Sequence, residues 1–568
     1  MRVRPSSLLL PVCTLVLAAV LLLPILMVVR GGFWEDGHPT LRYLLGVFRN
    51  PVYVKGLAHS LGIACGTTAT CLAVAVPLAW IAHRFDFAGK TLWTALVLVP
   101  MILPPFVGAI GLSQLLGQYG ALNALLGLGP VDWLGRGRAA GVVLIQSLSL
   151  YPILYLNAAA SLANVDPAME EAAANLGCAG PRRFLRVTLP LIAPGLFAGG
   201  ILVFIWSFTD LGAALMLNYT ECASVQVFDA LKEIGSNPFP YALVTAVLGL
   251  SVALYAAGRF LFGRRSYAMQ GKAAVAPVTT RLRGVRALLA TAPFACVSAV
   301  ALAPHLGVVL TSLSPPGAWY RTALPERFAL VNYVEALGHE MTVSSIGNSL
   351  RFSLVAVALN LVAGVAIAWV VVRTRHRLRG ALDALAMVPL AVPGLVMAFG
   401  YLAISSWLSN LAVVKAHPAL ASLVDVRVDP TLFLVVAYAV RRLPYMVRSA
   451  VAGLQQTSVA FEEAAANLGA SPARSLARVT LPLILANLLA GILLTFAFSM
   501  LEVSDSLMLA QQATRFPITK TIYELYQLLG TGKYVASALG VWAMAFLGVV
   551  IVGTSLLLGR KMGALFRA

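Results

Sequence analysis

Apolar runs alternate with short polar breaks along the chain, and each run approaches the roughly 20 residues an α-helix needs to cross a bilayer. They cover 8–29, 57–82, 92–112, 139–162, 191–211 and 241–262, then 287–310, 352–372, 381–404, 432–452, 483–501 and 536–558. The pattern predicts an all-α integral membrane protein of about twelve transmembrane helices. The run at 432–452 is the least regular, because Arg441 and Arg442 interrupt it. Pro104 and Pro105 fall inside the third run, and Pro389 and Pro393 inside the ninth. Such prolines either line a path as kinks with freed carbonyls or only shape helix packing.

The polar breaks reveal a duplication. Residues 170–177 and 462–469 both read EEAAANLG, and each octet is followed at the same distance by RVTLPLI, at 186–192 and 478–484. Trp80 and Trp369, Arg84 and Arg373, and Pro104 and Pro393 share an offset of 289, while Pro152 and Pro444, Pro190 and Pro482, and Asp210 and Glu502 share one of 292. The chain is therefore a tandem repeat. Six spans per unit give both halves the same orientation, as parallel repeats about an axis along the membrane normal. The expected organisation is a first repeat at 1–263, a basic linker at 264–286 and a second repeat at 287–568.

Composition agrees with a membrane assignment and reinterprets the charge. The chain is 60% hydrophobic and 11% charged, with a net charge of +19. In a soluble protein that charge would suggest nucleic acid. Here Arg2, Arg4, Arg264, Arg265, Lys272, Arg373, Arg375, Arg377, Arg379, Arg560 and Lys561 all fall on one side if the N-terminus is cytosolic, as the positive-inside rule requires. Topology then explains the charge without nucleic acid, and both termini are expected in the cytosol. The first run is too long for a signal peptide and no small-residue cleavage site follows it, so it reads as a retained helix. The six cysteines form no CxxC pair and the seven histidines no HxxxH or HExxH spacing, so neither a metal site nor a cofactor is expected.

Each octet lies in a loop, 163–190 or 455–482, with clear helix punctuation. Asp166-Pro167 supplies a cap and a first-turn proline, Ser458 can cap the second copy, and Gly177 and Gly469 permit the left-handed residue that ends a helix. A helix of about ten residues is too short to persist alone in water, so it needs a partner surface. Its alanines leave a slim face that can enter a groove, and its carboxylates can meet basic groups on the rim.

The order EAA, three residues, Gly, then Leu-Pro before a membrane helix resembles the EAA loop of permease subunits of bacterial ABC importers. The resemblance covers nearly the whole chain. It implies a type I ABC importer permease fold in the bacterial inner membrane and a coupling role for Glu170, Glu171, Ala172, Ala173, Gly177, Glu462, Glu463, Ala464, Ala465 and Gly469. It also implies a cytosolic ABC ATPase and an external solute-binding protein as partners. Because the octets are identical, two copies of one ATPase are expected. The plainer alternative is a linker helix duplicated with the rest. Fused double-length permeases of this kind resemble those for ferric iron, with thiamine, aminoethylphosphonate or polyamine as alternative cargoes of the same class, and the run LEVSDS at 501–506 followed by Arg515-Phe516-Pro517 looks most like the ferric branch.

The chain carries no phosphate loop of its own. Arg84 and Gln527 stand where the first glycine should precede Gly89-Lys90-Thr91 and Gly532-Lys533, so it is not expected to be an enzyme. Asp210 and Glu502 occupy equivalent positions at the ends of the fifth and eleventh runs, with Asp505 one turn on. They are candidates for a gate or a cation contact, or for carboxylates paired with a neighbouring arginine. Arg441, Arg442 and Arg448 either serve a role peculiar to one half or snorkel to headgroups. An ion-driven secondary transporter of twelve helices would carry its coupling charges at mid-membrane depth, whereas the charges here are expected at helix ends.

Overall fold

The computed structural model describes residues 5–565 apart from 36, 102–103, 136–137, 179, 235–236 and 263–278. Most of the expected linker therefore lies outside the described residues. The first half contributes α1 (Pro5–Phe33), α2 (Pro51–Arg84), α3 (Lys90–Leu98), α4 (Pro105–Leu116), α5 (Ala139–Ala163), α6 (Pro167–Asn175), α7 (Leu189–Phe208) and α8 (Phe239–Phe262). The second contributes α9 (Val285–Ser312), α10 (Glu340–Arg373), α11 (Arg379–Ala391), α12 (Gly394–Ser409), α13 (Thr431–Gln456), α14 (Ala460–Asn467), α15 (Leu485–Met500) and α16 (Gly532–Leu565).

Among the described residues, eight helices are long and apolar enough to cross a membrane, or eleven if each sharply bent pair counts as one span. The remaining expected span is α13, which has the length but loses apolarity to Arg441, Arg442 and Arg448. The prolines do more than kink. The third span bends by 97° between its two segments and the ninth by 100°. Pro104 and Pro393 sit extended at those breaks, with ψ of 124° and 133°, because proline has no N–H to continue the first segment yet suits the start of the next. A third bend, of 78°, separates Pro472–Leu483 from α15, and the sequence pattern did not indicate it.

The first helix of each half packs on the other half. Tyr401 Oη donates to Val20 O of α1 at 2.9 Å. A Cβ at Gly400 would lie 2.6 Å from Pro24 O, and one at Gly111, the equivalent position, 1.9 Å from Pro304 O of α9. Two glycines related by the repeat thus let two backbones touch, the small-residue packing that replaces hydrophobic driving force inside lipid. The largest buried cluster draws residues from both halves, among them Phe106, Ile145 and Phe208 with Phe399, Tyr438 and Leu507.

After the fifth and eleventh spans the chain turns back into the bundle. The short helices Gly212–Met216 and Ser504–Leu509 are buried at every position. The sequence pattern carries no sign of this return, since the apolar runs 191–211 and 483–501 end just before these segments. Their apolar and small residues fill the space that the broken third and ninth spans leave open.

Candidate translocation path and coupling loops

The two octets fold as α6 and α14, and neither helix has a buried residue. Asp166 Oδ1 accepts from Ala168 N at 2.9 Å, and Ser458 Oγ from Ala460 N at 3.3 Å. Gly177 and Gly469 close the helices at φ +77° and +83° with no atom near a built Cβ. Glycine is required there by backbone conformation and not by space. Leu176 and Leu468, which precede them, are 87% and 90% exposed. Beside them, Glu171, Glu463, Ala172 and Ala464 are exposed, and Ala173 and Ala465 half-buried.

Glu170 and Glu462 point the other way, into the bundle. Arg84 Nη1 donates to Glu170 Oε2 at 2.8 Å and Thr188 Oγ1 to Glu170 Oε1 at 2.6 Å. In the second half, Arg373 Nε donates to Glu462 Oε1 at 3.0 Å and Thr480 Oγ1 to the same oxygen at 3.3 Å. Burial pushes the Glu170 carboxyl up, but the bonds from Thr188 and Arg84 outweigh it and hold the group below the usual glutamate range. The sequence had marked Arg84 and Arg373 only as landmarks of the repeat.

Between the halves lies a cavity of roughly 180 Å³ whose walls include Pro104, Pro393, Asp210 and Glu502. Both break prolines and both equivalent acids thus meet in one space. Its two sides differ chemically. On the first-half side Gln146 Nε2 donates to Asp210 Oδ2 at 3.2 Å, Ala213 N donates to the same oxygen at 3.0 Å, and Thr67 Oγ1 donates to Gln146 Oε1 at 3.2 Å. On the second-half side Arg442 is ion-paired with Glu502, and Arg441 Nη1 reaches Glu502 Oε1 at 3.2 Å and Asp505 Oδ2 at 3.6 Å. Asp505 lies behind Arg441, in a small adjoining void beside Gly394 and Tyr401. A Cβ at Gly394 would fall 1.5 Å from Arg441 Nη1, so glycine there makes room for the guanidinium.

The repeat offset locates the asymmetry. Ser149 and Leu150 stand where the second half has Arg441 and Arg442, Gln146 where it has Tyr438, and Ala213 where it has Asp505. Two sequence expectations are corrected here. Arg441 and Arg442 do not snorkel. Arg441 lies roughly 15 Å along α13 from Thr431 and 22 Å from Gln456 at the helical rise, and Glu502 holds it inside the span. Charge therefore sits well within the bundle and not only at helix ends, so charge position does not separate this chain from a secondary transporter. Arg448, nearer the loop end, pairs with Asp383 at 3.2 Å. Among the described residues no group of three His, Cys, Asp or Glu is placed to hold a metal ion.

Comparison with known proteins decides what the geometry leaves open. Residues 75–266 and 360–563 each match the family described as binding-protein-dependent transport system inner membrane component. The chain belongs to that family. A putative ferric transport system permease of Haemophilus influenzae is 26% identical over 501 residues, covering 86% of this chain and 73% of the relative. A ferric transport system permease of Actinobacillus pleuropneumoniae is 25% identical over 490 residues, covering 83% and 66%. A probable molybdenum ABC transporter permease of Haloferax volcanii is 33% identical over 242 residues, covering 42% of this chain and 86% of its own. Among solved structures, a bacterial ABC transporter involved in the import of the acidic polysaccharide alginate matches half of the chain with 17% identity and a TM-score of 0.35. The chain is thus a fused, double-length ABC importer permease, an all-α multi-pass membrane protein whose family implies an ATPase and a binding protein as partners.

Proposed function

We propose that this permease imports ferric iron, and that two copies of one cytosolic ATPase drive it through α6 and α14. The observation that carries the coupling is the pair of identical octets on helices with no buried residue and with Leu176 and Leu468 almost fully exposed. An apolar side chain held in water at the same place in both halves is suited to a matching socket on a partner. In this reading both termini and the linker at 264–286 are cytosolic, the repeats divide at that linker, and the binding protein docks on the opposite face. Cargo passes through the cavity between the halves, where the breaks at Pro104 and Pro393 let the walls move and Asp210, Glu502 and Asp505 form the gate.

Ferric iron as cargo rests on the relatives named for ferric transport that match most of this chain. A second reading, an oxyanion such as molybdate, is favoured by the two arginines on the cavity wall and by the molybdenum permease relative. Proteoliposomes holding the permease, its ATPase and its binding protein distinguish them. Radiolabelled iron uptake that needs ATP, is not competed by molybdate and is lost in Gly177→Asp plus Gly469→Asp supports the proposal. Molybdate uptake without iron uptake sinks the cargo, and uptake without the ATPase sinks the coupling.

A further inference from the structure

The first glutamate of each octet lies at a junction of three segments distant in sequence. Arg84 and Arg373 are the last residues of α2 and α10. Glu170 and Glu462 sit in the first turns of α6 and α14. Thr188 and Thr480 each end a π-helical turn, Phe184–Thr188 and Leu476–Thr480, that leads into the fifth or eleventh span. The same three residue types meet in both halves, at the repeat offsets and with the same sense of donation. Retention of all three residues and their contacts in both copies of the repeat makes a chance surface contact a poor explanation. The turns are themselves unusual, since π-helical turns are rare and gather at functional sites.

We propose that Arg84–Glu170–Thr188 and Arg373–Glu462–Thr480 are transmission clamps, whose positioning residues lock each coupling helix to the second and fifth spans of its half. The outward residues, Glu171, Glu463, Leu176 and Leu468, then make the docking face. This divides the octet's two glutamates into an inner one for transmission and an outer one for docking. The assignment rests on the coupling reading of α6 and α14 given above.

The mechanical reason lies in what these helices lack. With no buried residue, α6 and α14 have no apolar anchor to fix their angle against the bundle. Their inward ties are polar, and charge-assisted bonds are the strong and directional ones. Glu170 uses both carboxylate oxygens, one for arginine and one for threonine. The second clamp is the drier, with Arg373 and Glu462 side chains 7% and 12% exposed against 31% and 20% in the first. Each has a further brace. Arg373 Nη2 donates to Thr457 O at 3.0 Å, just past the end of α13. On the first-half side, Phe85–Asp86, directly after Arg84, pair as a parallel strand with Thr280–Arg281. A push on the first loop helix is thereby delivered to α2 and α7, and a push on the second to α10 and, across the 78° bend after Leu483, to α15.

The test uses the full chain in nanodiscs with its cognate ATPase, the six native cysteines replaced by serine. Spin labels go on Leu92→Cys and Ala381→Cys, exposed and equivalent positions near the loop ends of α3 and α11. Two quantities are read: ATPase retained on the tagged permease, and the change in label distance between the nucleotide-free and vanadate-trapped states. Arg84→Gln plus Arg373→Gln is expected to keep the ATPase yet lose more than half of the distance change, with Arg→Lys at both sites restoring it in part. Glu171→Gln plus Glu463→Gln should instead weaken retention about fivefold or more. A full distance change in the glutamine pair overturns the clamp. So does loss of retention, which would put the arginines in the docking face itself. A wild type that retains no ATPase would sink the coupling reading on which the clamp rests. The reversed pairs, Arg84→Glu with Glu170→Arg and Arg373→Glu with Glu462→Arg, give a measurement that does not depend on how the glutamine variants fold. Recovery of the distance change supports the clamp and its absence overturns it.

Discussion

Glu502→Gln tests whether the cavity's charged side holds the second half together. Glu502, Asp505, Arg441 and Arg442 are locally balanced, two charges of each sign within one contact network. The Glu502 side chain is 3% exposed and that of Arg442 10%. Replacing the glutamate by its amide leaves both guanidiniums to share Asp505, with one positive charge uncompensated inside the bundle. Removing one partner of a buried pair costs about 3–5 kcal/mol, most of it the penalty of the charge left behind. Asp210→Asn supplies the internal control at the equivalent position. Its partners are a neutral amide and a backbone N–H, so the loss should be about 1–2 kcal/mol.

The assay is denaturant-induced unfolding in mixed micelles, followed by tryptophan fluorescence, with all variants under one condition. Glu502→Gln should be clearly less stable than Asp210→Asn. Adding Arg442→Leu to Glu502→Gln should recover most of the loss. It restores the balance and places leucine where the first half already has Leu150. If Glu502→Gln is no worse than Asp210→Asn, or if the added Arg442→Leu makes matters worse, the guanidinium is not held by Glu502 and the charge argument fails.

Other outcomes follow from particular contacts. Gly111→Val and Gly400→Val should each destabilise the fold, by about 1–3 kcal/mol or more as overpacking, because any Cβ there meets backbone of the other half's first helix; thermal unfolding checks this. Gly177→Ala meets no neighbour, so its cost is the left-handed strain alone, about 1–2 kcal/mol; it should lower the unfolding free energy by no more than that while also lowering ATPase retention in pull-down. For pH, the Glu170 carboxyl is held below its ordinary value of 4.5. A depressed carboxylate stabilises above the unfolded value and loses that contribution as pH falls through the folded one. The stability difference between wild type and Glu170→Gln should therefore be full above 4.5 and shrink below it. A difference that grows on acidification would contradict the ion pair.

Much of this was legible in the chain because lipid constrains sequence so tightly. Run lengths gave the spans, and the cap Asp166 with the stops Gly177 and Gly469 gave the loop helices nearly to the residue, although Val459 and not Ser458 holds the N-cap position of the second helix. The prolines announced a disturbance but not its size, since a bend of 97° or 100° depends on what fills the space beside the break. The buried returns at Gly212–Met216 and Ser504–Leu509 were not legible, because hydropathy cannot tell a helix that leaves the bundle from one that folds back into it. Arg441 and Arg442 looked like surface charges for a related reason. Their partner is sixty residues away, and only the folded chain brings Glu502 to them.

Where the halves agree and where they differ follows a physical division. The octets, the clamps and the crossing glycines are the same in both copies: the octets face solvent at the loops, the clamps tie each octet to its own half, and the glycines hold one half to the other. The cavity wall has diverged, from Ser149, Leu150 and Ala213 to Arg441, Arg442 and Asp505. On the proposed coupling, a surface that fits two equivalent sockets cannot change in one half alone, because a mismatch would unbalance the push. A single central space has no such restriction, since cargo meets both walls at once and only their sum matters. Fusion into one chain makes this asymmetry heritable, because the two unlike walls are always paired one to one. A protein carrying the first-half wall residues twice, made by Tyr438→Gln, Arg441→Ser, Arg442→Leu, Glu502→Asp and Asp505→Ala, should accordingly fold and retain its ATPase while transport changes. Transport unaltered in rate and cargo would show that the divergence has no bearing on the path.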